Sequence, residues 1–341
     1  MIWQFDIILL SLIVLCALFT ISIKDLLGSA IMFGAYSFLM CLLWTEMGAV
    51  DVAFTEASVG AGVSTILFFA IVHRSSRRVK ARQRGRLFYK GLGLTAAALL
   101  GGVLLYASSD FPAWGDPQSP AANHVSPYYL RHSLADTAVP NVVTSVLADY
   151  RGFDTMFETA VILTAGLAVL IVLRLGGSRS EVPVRLHAGQ IARGYEDTII
   201  RFVSRAMTPF LQLFALYVLA HGHHSPGGGF QGGVILGATF ILLAISFDLR
   251  LVVQSFNERT ALILANLGLL IYSGTGALCL LLGANFLDYS ALARIIPGAT
   301  AITARSHGIM AVEIGVALAV MAIIVIIYTN LVSDGTYENG L

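Results

Sequence analysis

The chain has 341 residues, of which 57% are hydrophobic and 12% charged, with 21 basic and 20 acidic side chains. Soluble domains carry about a quarter charged residues, and a mean hydropathy of +0.79 lies far outside that class. These values exclude a soluble enzyme, a secreted disulfide scaffold, a disordered chain and a nucleic-acid binder, and they leave a polytopic membrane protein; the net charge of +1 says nothing until it is mapped along the chain.

A helix needs roughly 20 apolar residues to cross a bilayer core about 30 Å thick. Nine stretches meet this requirement: about 4–23, 26–44, 50–72, 90–107, 155–174, 206–221, 230–247, 260–283 and 307–331. The expected fold is therefore all-α, a polytopic transmembrane helix bundle of about nine spans. The first run lacks the basic start and small-residue cleavage site of a secretory signal, so it is expected to stay as a span. Cys16, Cys41 and Cys279 fall inside apolar runs without metal or redox spacing, and read as small buried thiols. The sixth and seventh runs are short, and both abut the glycine-rich stretch 227–233.

Lys and Arg collect in cytoplasmic loops. The segment 74–90 (RSSRRVKARQRGRLFYK) holds eight basic residues and is taken as inside, as a topology anchor. Alternating spans then place the N-terminus outside and the C-terminus in the cytoplasm. On that scheme 17 basic residues lie inside and four outside (Arg131, Arg151, Arg294 and Arg305). The loops divide the chain into a three-span unit at 1–90, a two-span unit at 91–178 with a long outer loop at 108–154, a cytoplasmic linker at 179–200, and a four-span unit at 201–341. The Pro, Ser and Asn content of 108–154 marks it as a surface excursion.

Ionisable groups inside a span cost about 2.5–3.5 kcal/mol on insertion scales, so each invites a reason. At 100° per residue, Asp51, Thr55, Ser58 and Gly62 of the third span share one helical face. Asp51 near the helix start also reads as a cap or interface residue. Glu56 lies beside the stripe, about 7–8 Å into the run at 1.5 Å per residue. No basic residue lies within a turn of it, which points to a proton or cation path. Glu158 sits near the outer end of the fifth span, and Glu313 lies six residues beyond His307 in the ninth. Each can snorkel to its interface or face a polar track.

The stretch His221-Gly-His-His224-Ser-Pro226-Gly227-Gly228-Gly229-Phe-Gln231-Gly232-Gly233 has no Lys-Ser/Thr behind it and no strand before it, so it is not a nucleotide P-loop. Two readings remain. One is a tight turn, because Pro226 cannot continue a helix and the glycines accept positive φ. The other is a broken helix whose backbone lines a polar cavity, with His224 carrying protons near neutral pH. No pattern points to a metal or a cofactor.

From His224 to Val234 this same stretch, between two spans, resembles the signature of the B-type unit of Mrp-type multi-subunit sodium/proton antiporters, over about 200–341. The stretch Asp51-Val-Ala-Phe-Thr-Glu56-Ala-Ser-Val-Gly-Ala-Gly62 is similar to the D-type unit of membrane-bound hydrogenases, which is also found near the C-terminal end of the large A-type protein of Mrp systems. The stretch Asn141 to Glu158 resembles the E-type unit that follows it. In many Mrp systems the B-type unit is a separate chain; here all three units share one chain, without the large proton-pumping domain.

The resemblance implies a non-enzymatic membrane subunit of a cation/proton antiporter in a prokaryotic inner membrane. It implies protons and sodium as transported ions and no cofactor. The implied partners are other Mrp-type subunits, including a large proton-pumping subunit and a small C-like subunit, together with membrane lipid and no nucleic acid. By motif, Asp51 and Glu56 fall on an ion path, Glu158 at its entrance, and the His224 loop at a cavity. The alternative is the same set of units in the membrane arm of a hydrogenase or related respiratory oxidoreductase, with redox chemistry on other subunits; a purely structural scaffold is a third reading.

Overall fold

Nine helices in the computed structural model, which describes residues 3–74, 86–113, 115–175, 196–247 and 249–333, are long and apolar enough to cross a membrane. Numbered in chain order, spans 1 to 9 are Phe5–Ser22, Leu26–Glu46, Val50–Val72, Tyr89–Ser108, Gly152–Arg174, Thr198–His221, Gly229–Ser246, Glu258–Leu281 and Ala301–Ser333. The spans match the expected stretches, except that span 6 starts well before residue 206 and span 9 starts at Ala301, six residues before the expected 307. The first turns of span 6 are polar (Thr198, Arg201, Ser204, Arg205), so a count of apolar residues misses them. The core of the basic segment 74–90 and most of the linker 179–200 lie outside the described residues.

Span 9 is the axis of the bundle. It is 33 residues long, about 50 Å at 1.5 Å per residue, and spans 3, 5, 6, 7 and 8 pack around it. Close approach uses small residues, as lipid-embedded helices require. A Cβ at Gly268 of span 8 would overlap the Gly315 carbonyl of span 9, and one at Gly233 of span 7 would lie 2.7 Å from the Ala317 carbonyl. Spans 1 and 2 pair with each other, and span 2 carries span 3. Span 4 has no buried side chain in its apolar window.

Span 3 is helical in two manners. Val50–Thr55 and Thr65–Arg74 are α-helical, but Glu56–Ser64 winds as a π-helix. A π-turn advances fewer degrees per residue, so the expected face Asp51, Thr55, Ser58 and Gly62 does not run straight. Asp51 and Thr55 stay together, and the continuation turns away. π-Helical insertions concentrate at functional sites.

The segment 108–154 is not an open loop. Ser126–Thr137 is a helix, ended by Ala138 in the left-handed conformation (φ 55°). A short helix Val142–Ser145 then runs into a π-turn, Val146–Tyr150, before span 5. Asn141 caps the short helix, its Oδ1 accepting from the amides of Val143 (2.9 Å) and Thr144 (3.4 Å). Tyr129 and Tyr150 pack ring to ring at 5.0 Å, and Tyr150 Oη donates to Asp136 at 2.5 Å. These helices are too short and polar to register in a scan for apolar runs. They pack against span 9 together with the 3-10 turn Tyr289–Arg294, over the end where spans 3, 5, 7 and 9 begin.

Candidate ion-path site

The starts of spans 3, 7 and 9 meet at the turn 222–228, which joins spans 6 and 7. Gly227 has φ +116°, and a Cβ there would lie 2.8 Å from Val218 and 3.1 Å from Phe54, so the position requires glycine. Asp51 Oδ1 accepts from the Gly227 amide at 3.0 Å. One turn further along span 3, Thr55 Oγ1 accepts from Gln231 Nε2 at 2.6 Å and donates to the Asp51 carbonyl. The i, i+4 pair Asp51/Thr55 thus reads the i, i+4 pair Gly227/Gln231 in register.

The short helix after Asn141 holds the same turn from above. Asn141 Nδ2 donates to the carbonyls of Gly222 (3.2 Å) and Ser225 (3.0 Å), and its N–H donates to the His223 carbonyl at 2.9 Å. Thr144 Oγ1 donates to the Gly222 carbonyl at 2.8 Å. Every one of these bonds joins residues far apart in sequence, and together they pin the turn on two sides.

Glu313 of span 9 enters this turn from below. Its side chain is buried, with the residue 8% exposed, so it does not snorkel. A Cβ at Gly228 would lie 2.6 Å from Glu313 Oε1, and one at Gly222 would lie 3.4 Å from it. Gly229, the first residue of span 7, stands directly against the Glu313 backbone, where a Cβ would overlap the carbonyl oxygen. His223 faces the Glu313 carboxyl, with Nε2 3.9 Å from Oε2. His223 is itself 7% exposed, and burial, ahead of the neighbouring His224 and His307, lowers its pKa below the usual histidine range. The imidazole is accordingly neutral at neutral pH.

Asp51, Thr55, Glu158, Gly227, Gly228, Gly229, Gln231 and Glu313 line one cavity of about 810 Å³. Asp154, paired with Arg151 at 2.6 Å, lines the same cavity, so four carboxylates from spans 3, 5 and 9 share a space whose other walls are largely apolar. Glu158 is exposed at the rim between Phe157 and Val161. The remaining expected residues lie elsewhere. His224 is exposed and stacks on His221 at 5.3 Å between ring centroids, so His223 is the histidine that meets Glu313. Pro226 is in the turn but is not on the cavity wall. Gly232 and Gly233 seat span 7 against spans 6 and 9.

Glu56 is turned toward span 2. Its Oε1 lies over Gly60, where a Cβ would overlap it and stand 2.8 Å from Ser37 Oγ. Ser37 is buried at 1% exposure, so Glu56 occupies a second polar spot on the opposite side of span 3 from the cavity. Gly60→Ala displaces only side-chain ends, Glu56 Oε1 and Ser37 Oγ, and no backbone, and alanine is the better helix former by about 1 kcal/mol. The expected result is an unchanged or raised melting temperature of the purified protein, with about tenfold slower cation-driven proton exchange. Exchange equal to wild type would take Glu56 off the path.

A further ion pair ties the roof to span 9. Arg305 holds Asp149 through Nε (2.7 Å) and Nη2 (3.0 Å), and lies over the Tyr150 ring at 5.5 Å. Burial raises the Asp149 pKa against the opposing hydrogen bond from Arg305. Among the described residues no group of three or more His, Cys, Asp or Glu is placed to hold a metal ion.

Three family models match the chain in order: MbhD of MBH over residues 11–77, MbhE of MBH over 110–181, and "Domain related to MnhB subunit of Na+/H+ antiporter" over 199–326. A Staphylococcus aureus protein named as a candidate antiporter subunit, mnhB2, is 30% identical over 137 residues, which are 40% of this chain and 94% of that protein. The chain belongs to the Mrp-type sodium/proton antiporter subunit family. A second relative, from Rhizobium meliloti and named as an A/B-type component of a K(+)/H(+) antiporter, is 25% identical over 293 residues, 80% of this chain. In the structure of the Mrp complex from Dietzia sp. DQ12-45-1b, one chain superposes with a TM-score of 0.74 at 25% identity, covering 97% of this chain. This Mrp-type subunit spans 28% of the length of the Rhizobium protein and 35% of the Dietzia chain. The turn pinned by Asp51 and Asn141 lies where all three matched regions meet.

Proposed function

We propose that the chain is a membrane subunit, not an enzyme, of a multi-subunit antiporter that exchanges sodium for protons. The cavity of Asp51, Glu158 and Glu313 forms part of its ion path. The observation that carries this reading is the convergence of four carboxylates from three different spans on one cavity, with Glu313 buried in its wall. Ionisable residues in spans otherwise cost too much to be kept without a partner or an ion. The family and the Mrp-complex likeness support the antiporter setting. The distribution of Lys and Arg supports a prokaryotic inner-membrane chain with its N-terminus outside and its C-terminus in the cytoplasm. On that orientation the site lies at the outer face, and Glu158 at the rim faces the bilayer or a neighbouring subunit. The partners in this reading are a large proton-translocating subunit and a small C-like subunit.

Asp51→Asn tests the reading most directly. Asn retains the oxygen that accepts from the Gly227 amide, so the turn keeps its anchor while the charge is lost. Sodium-driven proton movement in vesicles is expected to drop about tenfold or more, with the assembled complex at its normal level. Undiminished exchange removes Asp51 from the path. Mass spectrometry of the purified complex decides the setting: antiporter subunits alone support it, whereas iron–sulfur or [NiFe]-type subunits move the chain to a redox-driven complex.

A further inference from the structure

Two buried polar atoms at the site face each other without a hydrogen-bond partner: His223 Nε2 and Glu313 Oε2. Buried polar atoms are almost always paired, so two facing orphans call for an explanation. At 3.9 Å they stand just beyond hydrogen-bond reach. On the other edge of the same ring, Nδ1 lies 3.4 Å from Ser306 Oγ. Ser306 is on span 9, two turns before Glu313 and toward the end face, and is only half-buried. One imidazole therefore bridges a partly accessible hydroxyl and an enclosed carboxyl, and each ring nitrogen addresses one of them.

The surroundings fix the backbone and leave the ring to move. Asn141 and Thr144 hold the carbonyls of Gly222, His223 and Ser225. The imidazole itself is held only by the long 3.4 Å contact between Nδ1 and Ser306 Oγ. The other ionisable groups facing the turn are His224 at its exposed side, His307 and Arg305 on span 9, with Arg305 committed to Asp149, Asp51 bound to the Gly227 amide, and Glu158 and Tyr272 across the cavity.

We propose that His223 is a proton relay between Ser306 at the end face and Glu313 in the cavity. In the inward step His223 takes a proton at Nδ1 from the Ser306 side, giving imidazolium. It then releases the Nε2 proton to the Glu313 carboxylate, leaving neutral imidazole and a protonated carboxyl. Turning of the side chain then presents both ring nitrogens to the end face, where loss of the Nδ1 proton and uptake of one at Nε2 restore the starting tautomer with no net transfer, and the outward step is the reverse. The pair carries one proton and no other reactant is consumed. This rests on the reading that Glu313 lies on the ion path; the relay adds the route by which its proton arrives.

The test uses the assembled complex in liposomes, with sodium-driven proton movement followed from about pH 5 to about pH 9. A relay needs neutral imidazole, so the wild-type rate should hold at neutral pH and fall only below the ordinary histidine range. His223→Gln should slow exchange about tenfold or more at neutral pH and abolish that acid limb. His223→Ala should be slow and then recover several-fold on addition of imidazole to the medium, a recovery that a merely structural role does not produce. Infrared difference spectra read the Glu313 carboxyl band, identified by its loss in Glu313→Gln, without requiring antiport. Its protonation after a pH jump should be slowed about tenfold in His223→Gln. A wild-type pH profile in His223→Gln, or an unchanged rate of carboxyl protonation, overturns the relay. Should the wild-type complex move no protons in response to sodium while the infrared difference persists, the antiporter reading fails and the relay stands.

Discussion

Glu313→Gln is expected to abolish sodium-driven proton exchange, by about 100-fold or more, while the complex assembles and melts normally. A positioned acid–base group contributes about 10²–10⁴ in rate where proton transfer is limiting. Glutamine is close to isosteric, so the cradle of Gly222, Gly228 and Gly229 remains filled. The variant removes the proton-holding function and little else. Exchange in everted vesicles, with complex levels on native gels, separates the two effects. Residual exchange above about a tenth of wild type would mean that Asp51 or Glu158 carries the proton instead.

Gly229→Ala is expected to be the most damaging alanine substitution among the described glycines. A Cβ at Gly229 would overlap the Glu313 carbonyl oxygen and come within 2.8 Å of its carbonyl carbon and 2.9 Å of its Cα. These are backbone atoms of the central helix and cannot swing aside as a side chain can. Overpacking of this kind costs about 1–3 kcal/mol or more, and it forces span 7 away from span 9 at the level of the site. A lowered melting temperature together with lost exchange is the expected pair of results. Gly274→Ala, on span 8, meets nothing within 4 Å and serves as the control that should leave both unchanged. Equal melting temperatures for the two variants would contradict the packing described for spans 7 and 9.

The spans were legible because bilayer thickness acts on each apolar run independently of its neighbours, although the polar starts of spans 6 and 9 were not. The family resemblance was legible because its motifs lie in contiguous stretches around Asp51, Asn141 and the glycine turn. Three features were not legible. The π-helical winding of Glu56–Ser64 breaks the 100° rule on which the face of span 3 was drawn, and it leaves Glu56 facing Ser37 while Asp51 and Thr55 face the cavity. The choice between His223 and His224 depends on how the chain leaves the helix after His221. No periodicity applies there, and Asn141, more than 80 positions away, sets the backbone. The helices within 126–150 owe their form to a cap, aromatic packing and an ion pair to Arg305, none of which raises local hydropathy. The turn is held by Asp51, Asn141 and Thr144, and its Gly227–Gly229 stretch lines the cavity.

The placement of Glu313 has an electrical consequence. It stands beside Gly229, the first residue of span 7, so on the proposed path a proton reaching it from the end face crosses little of the hydrocarbon thickness. Moving a full charge through 100 mV is worth about 2.3 kcal/mol, and only a small part of that drop falls before Glu313. Loading the site should be almost insensitive to membrane potential. Beyond it, Ile314–Ser333 contains no Asp, Glu, Lys, Arg or His, an insulating column against which most of the voltage falls. On the proposed path the work of the membrane potential is therefore done beyond Glu313, along the remaining length of span 9.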